Sequence, residues 1–173
     1  PSIAQTVEAR KTAALSNMFH SSSTQETAIA AGSDRVMSVY HVMAATSGGG
    51  PEIGFAIATL QMGGSWNWTT EGVIHPGQFA FGLTDPSVAA DTTTGDFVVC
   101  AMVLESQGVP NNPRHIVVSR FDALSGQFGP WQILRSGVGL DQPWVATGLM
   151  PIAMGNAPIA SNEFYVAWRD TGD

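Results

Sequence analysis

The chain has 173 residues, enough for one ordinary domain. Apolar residues make up 44% of it and charged residues only 12%, and 19 Gly and 10 Pro are present. This composition favours a turn-rich β protein over a helical one, because helices normally carry Glu, Lys and Arg on their solvent face. The net charge of −7 offers nothing to attract a polyanion, so we expect no nucleic-acid partner.

The chain contains a single cysteine, Cys100, which excludes an intrachain disulfide bond. Cys100 lies in the apolar run FVVCAMV (97–103), and this setting predicts a small buried residue of a strand. No apolar run approaches the roughly 20 residues of a membrane-spanning helix, so we expect no membrane span. The N-terminal residues also lack the apolar core of a signal peptide, so a secreted form would be the mature chain.

The N-terminal segment, residues 1–25, contains the one helical candidate, residues 2–19. Ser2 and Gln5 have the spacing of a capping box, and four apolar residues lie close to one helical face: Ile3, Val7, Ala14 and Met18. From Glu26 onward, apolar residues come in runs of four to eight, separated by Gly, Pro, Asn, Asp and Ser. This pattern is typical of strands and turns, so residues 26–173 are predicted to be all-β.

The strand-rich part contains a repeat whose units begin near residues 26, 85 and 141, with 59 and then 56 residues between successive starts. The units open on the runs ETAIAAG, DPSVAAD and DQPWVATG. Each complete unit supplies four short strands, and the third unit ends after its second. A repeat of this length with four strands is typical of a β-propeller blade, and the small residues of the opening runs suit a crowded innermost strand.

The turn between the third and fourth strands has its own pattern. It reads TLQMGGSW (59–66) in the first unit and SRFDALSGQFGPW (119–131) in the second. Both resemble the Asp-box of sialidases and bacterial neuraminidase repeats, Ser/Thr-x-Asp-x-Gly-x-x-Trp. Gln61 takes the place of the Asp in the first unit, and the second is expanded. In such a turn the acidic side chain accepts backbone N–H groups, Gly takes a positive φ and Trp packs back onto the sheet.

The resemblance extends to the unit openings and to the run YVAW (165–168), and it spans roughly residues 26–173. It implies a fragment of a sialidase-like β-propeller: about three four-stranded blades, the third incomplete, of a ring of about six. Three blades cannot close a ring. We therefore expect a second chain, the C-terminal half of the same precursor, to supply the remaining blades; a homodimer is the less favoured alternative. The resemblance further implies a secreted, extracellular protein that binds a glycan and needs no cofactor or metal.

In sialidase-like propellers the ligand binds at one mouth of the channel, in loops between second and third strands and in connections entering the first. A sialidase uses three Arg to clamp a carboxylate, an Asp as acid/base and a Tyr–Glu pair as nucleophile, because its transition state is cationic. No Phe-Arg-Ile-Pro-like segment precedes the first unit, so this signature is incomplete. The resemblance implies Glu105 and Asp170 as catalytic carboxylates. It implies four substrate-binding residues: Arg114, Arg169, His41 and His75.

Structural roles compete with these assignments. Asp85 and Asp141 recur at positions that look equivalent, where capping the turn into the inner strand is favoured over catalysis. Four tryptophans at repeat positions are more typical of packing than of a sugar platform: Trp66, Trp131, Trp144 and Trp168. The histidines show no metal-binding spacing. Two functions remain open. One is a glycan-recognising, sialidase-like exo-glycosidase; the alternative is a non-catalytic propeller acting as a lectin or protein-interaction scaffold, including a toxin or adhesin module.

Overall fold

The computed structural model describes residues 25–42, 50–75, 77, 82–105, 112–154 and 157–171. All regular structure in these ranges is β, in antiparallel sheets, which confirms the all-β prediction. The helix predicted for residues 2–19 lies outside the described residues. Among the residues that are described, no helix is long and apolar enough to cross a membrane.

The strands form three sheets that follow the predicted repeat. The first unit is a meander in the order β1-β2-β3-β4, made of β1 (Gln25–Ala31), β2 (Arg35–Val42), β3 (Glu52–Leu60) and β4 (Trp66–Ile74). The second unit contains β5 (Gly82–Ala90), β6 (Phe97–Leu104), β7 (Arg114–Asp122), the short β8 (Gln127–Phe128) and β9 (Gln132–Gly137), with both β8 and β9 paired to β7. The third unit is a hairpin of β10 (Leu140–Met154) and β11 (Ala157–Asp170).

The first strand of each unit contains a β-bulge, and the positions of these bulges show which residues of the three units are equivalent. The last regular pairs before the bulges are Gln25 with His41, Thr84 with Met102 and Asp141 with Arg169. Asp85 therefore corresponds to Gln142, and Asp141 corresponds to Thr84. The predicted equivalence of Asp85 and Asp141 is wrong by one residue. The proline of each opening run marks the equivalent positions. Asp85 directly precedes it in DPSV, and Gln142 directly precedes it in QPWV.

The second sheet is buried on both faces by alternate residues of β6. Phe97, Val99, Ala101 and Val103 belong to a core cluster shared with the first unit. The intervening Val98, Cys100 and Met102 belong to a second cluster, which includes Leu140 and Val145 of the third unit. Two buried faces explain why β6 reads as one continuous apolar run rather than an alternation. The prediction that Cys100 is a buried strand residue is confirmed.

The two interfaces between units are built in the same way. Val36 pairs with the last residue of β1, and Phe97 pairs with the last residue of β5, so these two residues are equivalent. Met37 and Val98, which follow them directly, are therefore equivalent as well. Met37 packs toward the second unit, and Val98 packs toward the third. Each unit thus presents one face to the unit after it and the opposite face to the unit before it. This is a head-to-tail stack, in which one contact geometry is repeated.

The first strands are neighbours within this stack. Strand β5 contacts both β1 and β10. The backbone N–H of Val145 donates to the hydroxyl of Ser87 over 3.1 Å, a buried bond between β10 and β5. The small residues of the opening runs let these strands approach closely.

The turn at 122–126 is closed by the side chain of Asp122. Asp122 Oδ1 accepts the backbone N–H groups of Leu124 and Ser125, each over 2.8 Å, and Gly126 has a φ of 69°. These two bonds hold the pKa of the Asp122 carboxyl below its usual range. In the first unit, Gly63 and Gly64 also have positive φ. Gln61 makes a different contact there, since its side-chain amide donates to the Thr59 carbonyl over 3.3 Å.

Candidate functional site

One end of the three sheets, which we call the loop edge, collects the predicted functional residues. Strand pairing brings Val42 beside Glu52, Leu104 beside Arg114 and Leu140 beside Asp170, so the strands of all three units end on the same side of their sheets. The first two units also meet here, because the Leu83 N–H donates to the Pro51 carbonyl over 2.7 Å. All six predicted site residues lie at this edge: His41, His75, Glu105, Arg114, Arg169 and Asp170.

An Arg–Asp–Arg cluster joins the second and third units at the loop edge. Arg169 Nη2 donates to Asp141 Oδ2, and Arg114 Nη1 lies 3.8 Å from Asp141 Oδ1. Arg114 Nη1 also donates to the Leu140 carbonyl over 2.9 Å, which fixes its position. Asp141 is largely buried between the two guanidinium groups and acts as their shared partner, not as the turn cap that the sequence predicts. The three side chains together carry one net positive charge, and the side chains of Arg114 and Arg169 are 37% and 56% exposed.

A second cluster lies on the opposite face of the second sheet. His115 Nε2 is 2.5 Å from Glu105 Oε1, and His115 Nδ1 is 2.7 Å from Ser136 Oγ. His115 and Ser136 are direct partners across β7 and β9, so the strand register sets the second contact. With its proton on Nε2, the imidazole donates to Glu105 and accepts from the Ser136 hydroxyl. Since the His115 side chain is only 12% exposed, it holds the half-exposed Glu105 carboxylate in a defined place.

His41 is buried where β2 meets β5, not exposed in a loop. Within the described part of the chain, its Nε2 has no hydrogen-bond partner. Burial lowers the pKa of His41, and the nearby Asp85 carboxylate opposes that shift. Asp85 in turn accepts the Thr84 hydroxyl over 3.1 Å. His41 therefore favours the neutral form.

His75 is the exposed histidine of the site. Its side chain is 76% exposed, and Nδ1 lies 3.1 Å from Glu52 Oε1. The His75 carbonyl accepts the indole N–H of Trp131 over 3.0 Å, which ties the second unit to the first. Trp131 is buried, so its role is packing, as its repeat position predicts. Trp144 differs, because it is 58% exposed.

A groove of about 510 Å³ lies beside His75, between the outer strands of the first two units. Its volume is in the range of small-molecule sites. Phe55 and Phe128 meet edge-to-face inside it, with ring centroids 5.0 Å apart. Polar groups reach it from the rim: Thr70, His75 and Gln127.

The described residues include no group of three or more His, Cys, Asp or Glu side chains arranged to hold a metal ion. Asp170, predicted as catalytic, is exposed at the end of β11, and its backbone pairs with Leu140. Sequence reasoning missed Ser136 and assigned Asp141 a different role. Both depend on which residues lie opposite each other across strands, and a single strand's sequence does not carry that information.

Comparison of the chain with protein-family models gives no match, and comparison with the curated proteins gives none either.

Proposed function

We propose that this chain forms part of a secreted, sialidase-like β-propeller of about six blades, which recognises a glycan bearing a carboxylate at the loop edge. The Arg114–Asp141–Arg169 cluster is the observation that carries the proposal. Planar guanidinium groups bind carboxylates in bidentate fashion, and two of them converge here on Asp141. The two arginines outnumber the acid between them, which leaves the cluster itself with one positive charge in a chain that is acidic as a whole.

The fold supports the propeller part of the proposal. A propeller is built from antiparallel sheets that stack through equivalent faces, and the first two units, of four and five strands, stack in this way. The Asp122 turn agrees with the resemblance to Asp-box repeats. We propose three further points on the resemblance alone: the number of blades, the closed ring and the extracellular location.

If the protein is an enzyme, the proposal is that the complete ring acts as an exo-glycosidase on the bound glycan. Glu105 is then the acid/base, held by His115. The nucleophile has to come from outside the described residues. The Tyr165 hydroxyl does bond Glu163 over 3.3 Å, but Tyr165 lies four strand residues from Arg169, roughly 13 Å away. Desolvation, and after it the Glu163 carboxylate, also raise the pKa of Tyr165, the opposite of what a nucleophile needs.

The test is binding of sialosides and of matched neutral glycans to the purified chain, with Arg114→Gln and Arg169→Gln as variants. We expect a preference for the acidic glycan and an affinity loss of about tenfold or more for each variant, since each removes a charge-assisted bond. Arg120→Gln is the matched control, because Arg120 pairs with Asp96 at the opposite end of the sheets. Equal affinity for neutral glycans, or unchanged binding by both variants, contradicts the proposal.

A non-catalytic lectin is the second candidate, and the groove beside His75 favours it. Aromatic walls with polar groups at the rim are suited to a sugar ring, and this site needs no acid/base pair. Turnover of a fluorogenic sialoside by the complete assembly, abolished by Glu105→Gln, supports the hydrolase. Glycan binding without turnover, weakened by Phe128→Ala but not by Arg169→Gln, supports the lectin. Glycan binding by neither site leaves a protein-interaction scaffold as the function of the propeller.

A further inference from the structure

Ser136, His115 and Glu105 form a chain of contacts at the loop edge of the second sheet. Glu105 directly follows β6, His115 lies at the start of β7, and Ser136 lies near the end of β9. His115 Nδ1 is 2.7 Å from Ser136 Oγ, and His115 Nε2 is 2.5 Å from Glu105 Oε1. The imidazole therefore joins a hydroxyl to a carboxylate, with one ring nitrogen on each.

The exposure of these side chains separates their roles. Ser136 is exposed, whereas the His115 side chain is only 12% exposed. Val103 and Ser136 are the strand partners of His115 on its two sides, and Val103 is fully buried. The buried Val117 lies two residues along β7 and so on the same face as His115. Apolar neighbours thus restrict the imidazole, while the hydroxyl stays open to a reactant.

We propose that Ser136 is a nucleophile for acyl transfer, with His115 as its general base and Glu105 as the residue that positions this base. The same three roles define the Ser–His–carboxylate triad, which is recognised by geometry and not by sequence order. The two ring nitrogens are exchanged relative to the serine-protease arrangement, but either nitrogen of a neutral imidazole can be the one that takes a proton. The proposal rests neither on the propeller nor on glycan recognition.

The substrate class is a carboxylic ester. An alcohol is a better leaving group than an amine, so an ester makes fewer demands than an amide on a site at the surface. The exposure of Ser136 also admits the water that completes the reaction. The net charge of −7 favours a neutral or cationic ester over an anionic one.

The reaction has two halves. In the first, Nδ1 of His115 takes the hydroxyl proton as Ser136 Oγ bonds to the carbonyl carbon, and the carbonyl π electrons move onto the carbonyl oxygen. The intermediate collapses to an acyl-serine, and the leaving alkoxide takes the proton from Nδ1. In the second half, water gives a proton to Nδ1 and bonds to the acyl carbon, and Ser136 Oγ leaves and recovers that proton. One ester and one water become one carboxylic acid and one alcohol.

Backbone geometry supplies a donor for the oxyanion. Ser136 pairs with His115, and Gly137 pairs with Arg114, in regular antiparallel register. Successive N–H groups of a strand point to opposite sides, so one of the two N–H groups of Ser136 and Gly137 points away from β7. Within the described ranges, β9 pairs with β7 alone. This outward N–H, next to the nucleophile, is placed to receive the oxyanion.

The test is reaction of the purified chain with a fluorophosphonate probe, followed by peptide mass spectrometry. The probe bonds its phosphorus to an activated serine hydroxyl and releases fluoride. We expect Ser136 to be labelled about tenfold faster or more than Ser65, a control serine that is also exposed but lies in a turn of the first unit. Equal labelling of the two serines overturns the proposal. Because both are measured in the unchanged chain, a folding defect cannot produce that result.

Three variants assign the roles. His115→Gln should slow the labelling of Ser136 about tenfold or more, because the base is lost. Ser136→Ala should lower the hydrolysis of p-nitrophenyl acetate to a similar extent and leave the thermal midpoint unchanged, because the side chain is exposed. Glu105→Gln should lower kcat and move the acidic limb of the pH profile to lower pH, because an imidazolium without its carboxylate partner loses its proton more readily.

Each of the opposite results contradicts the triad: unchanged labelling in His115→Gln, unchanged hydrolysis in Ser136→Ala, or an acidic limb that stays in place in Glu105→Gln. Ser136→Ala should also leave sialoside binding through Arg114 unchanged, since the two clusters lie on opposite faces of the second sheet. A failed ester test and a failed glycan test therefore remain distinguishable.

Discussion

Asp85 and Gln142 occupy the same position in successive repeats. Each directly precedes a proline within a bulge of its first strand, and each has a left-handed φ, 52° for Asp85 and 44° for Gln142. This conformation is unfavourable for residues other than Gly, although Asp and Asn tolerate it better than Gln does. The second and third units therefore share a strained backbone position in their first strands, beside the loop edge.

Replacing Gln142 tests that strain. We expect Gln142→Gly to be more stable than Gln142→Ala by about 1 kcal/mol, because only Gly adopts this φ without a steric cost. Chemical denaturation measures the difference. Gln132, an exposed strand residue, is the control: there Gly should be the less stable variant. A Gly variant less stable than Ala at both sites contradicts a left-handed Gln142.

Stability should fall in mild acid because of His41. Burial lowers its folded pKa below the unfolded value of about 6.5. The unfolded state therefore binds the proton more readily, and the stabilisation present above pH 6.5 or so is lost as the pH falls through the folded pKa. His41→Gln should flatten the free energy of unfolding against pH over this range. Parallel curves for wild type and His41→Gln would remove His41 as the cause.

The Tyr40 ring lies on Gly54, and this contact predicts a large effect from a small change. A Cβ at position 54 would come within 2.2 Å of Cε2 of Tyr40. We expect Gly54→Ala to destabilise the chain by about 1–3 kcal/mol, because both residues are buried and the ring has to move. Gly129→Ala is the control, since its Cβ would meet its nearest neighbour at 3.6 Å. Denaturation midpoints compare the two, and equal midpoints would mean that Tyr40 does not cover Gly54.

Cys100 should be inert in the native protein. Its side chain is fully buried, and burial raises the pKa of the thiol to about 12. Labelling with a thiol-specific reagent should therefore proceed only through unfolding and become fast in denaturant. The measurement is the labelling rate against denaturant concentration. Equal rates in the native and denatured protein would place Cys100 at the surface.

The sequence predicts the strands well because their signals are local. The turn residues at Gly63, Gly64 and Gly126 and the apolar run of β6 carry enough information to place the strands and the repeat. Cross-strand relations are not local, so the pairing of His115 with Ser136 and the ion pairs of Asp141 need the register. Asp85 and Asp141 illustrate the same point: the two acids look alike in sequence, but Asp85 lies within the bulge of its strand and Asp141 is the last paired residue before the bulge of its own.

The repeated faces of the stack have a consequence for shape. Phe97 and Phe164, and likewise Val99 and Val166, fill equivalent places in successive interfaces. Each of these side chains belongs to one interface only. A larger or smaller side chain at one of them should therefore change the distance between one pair of neighbouring sheets and leave the other interface as it is.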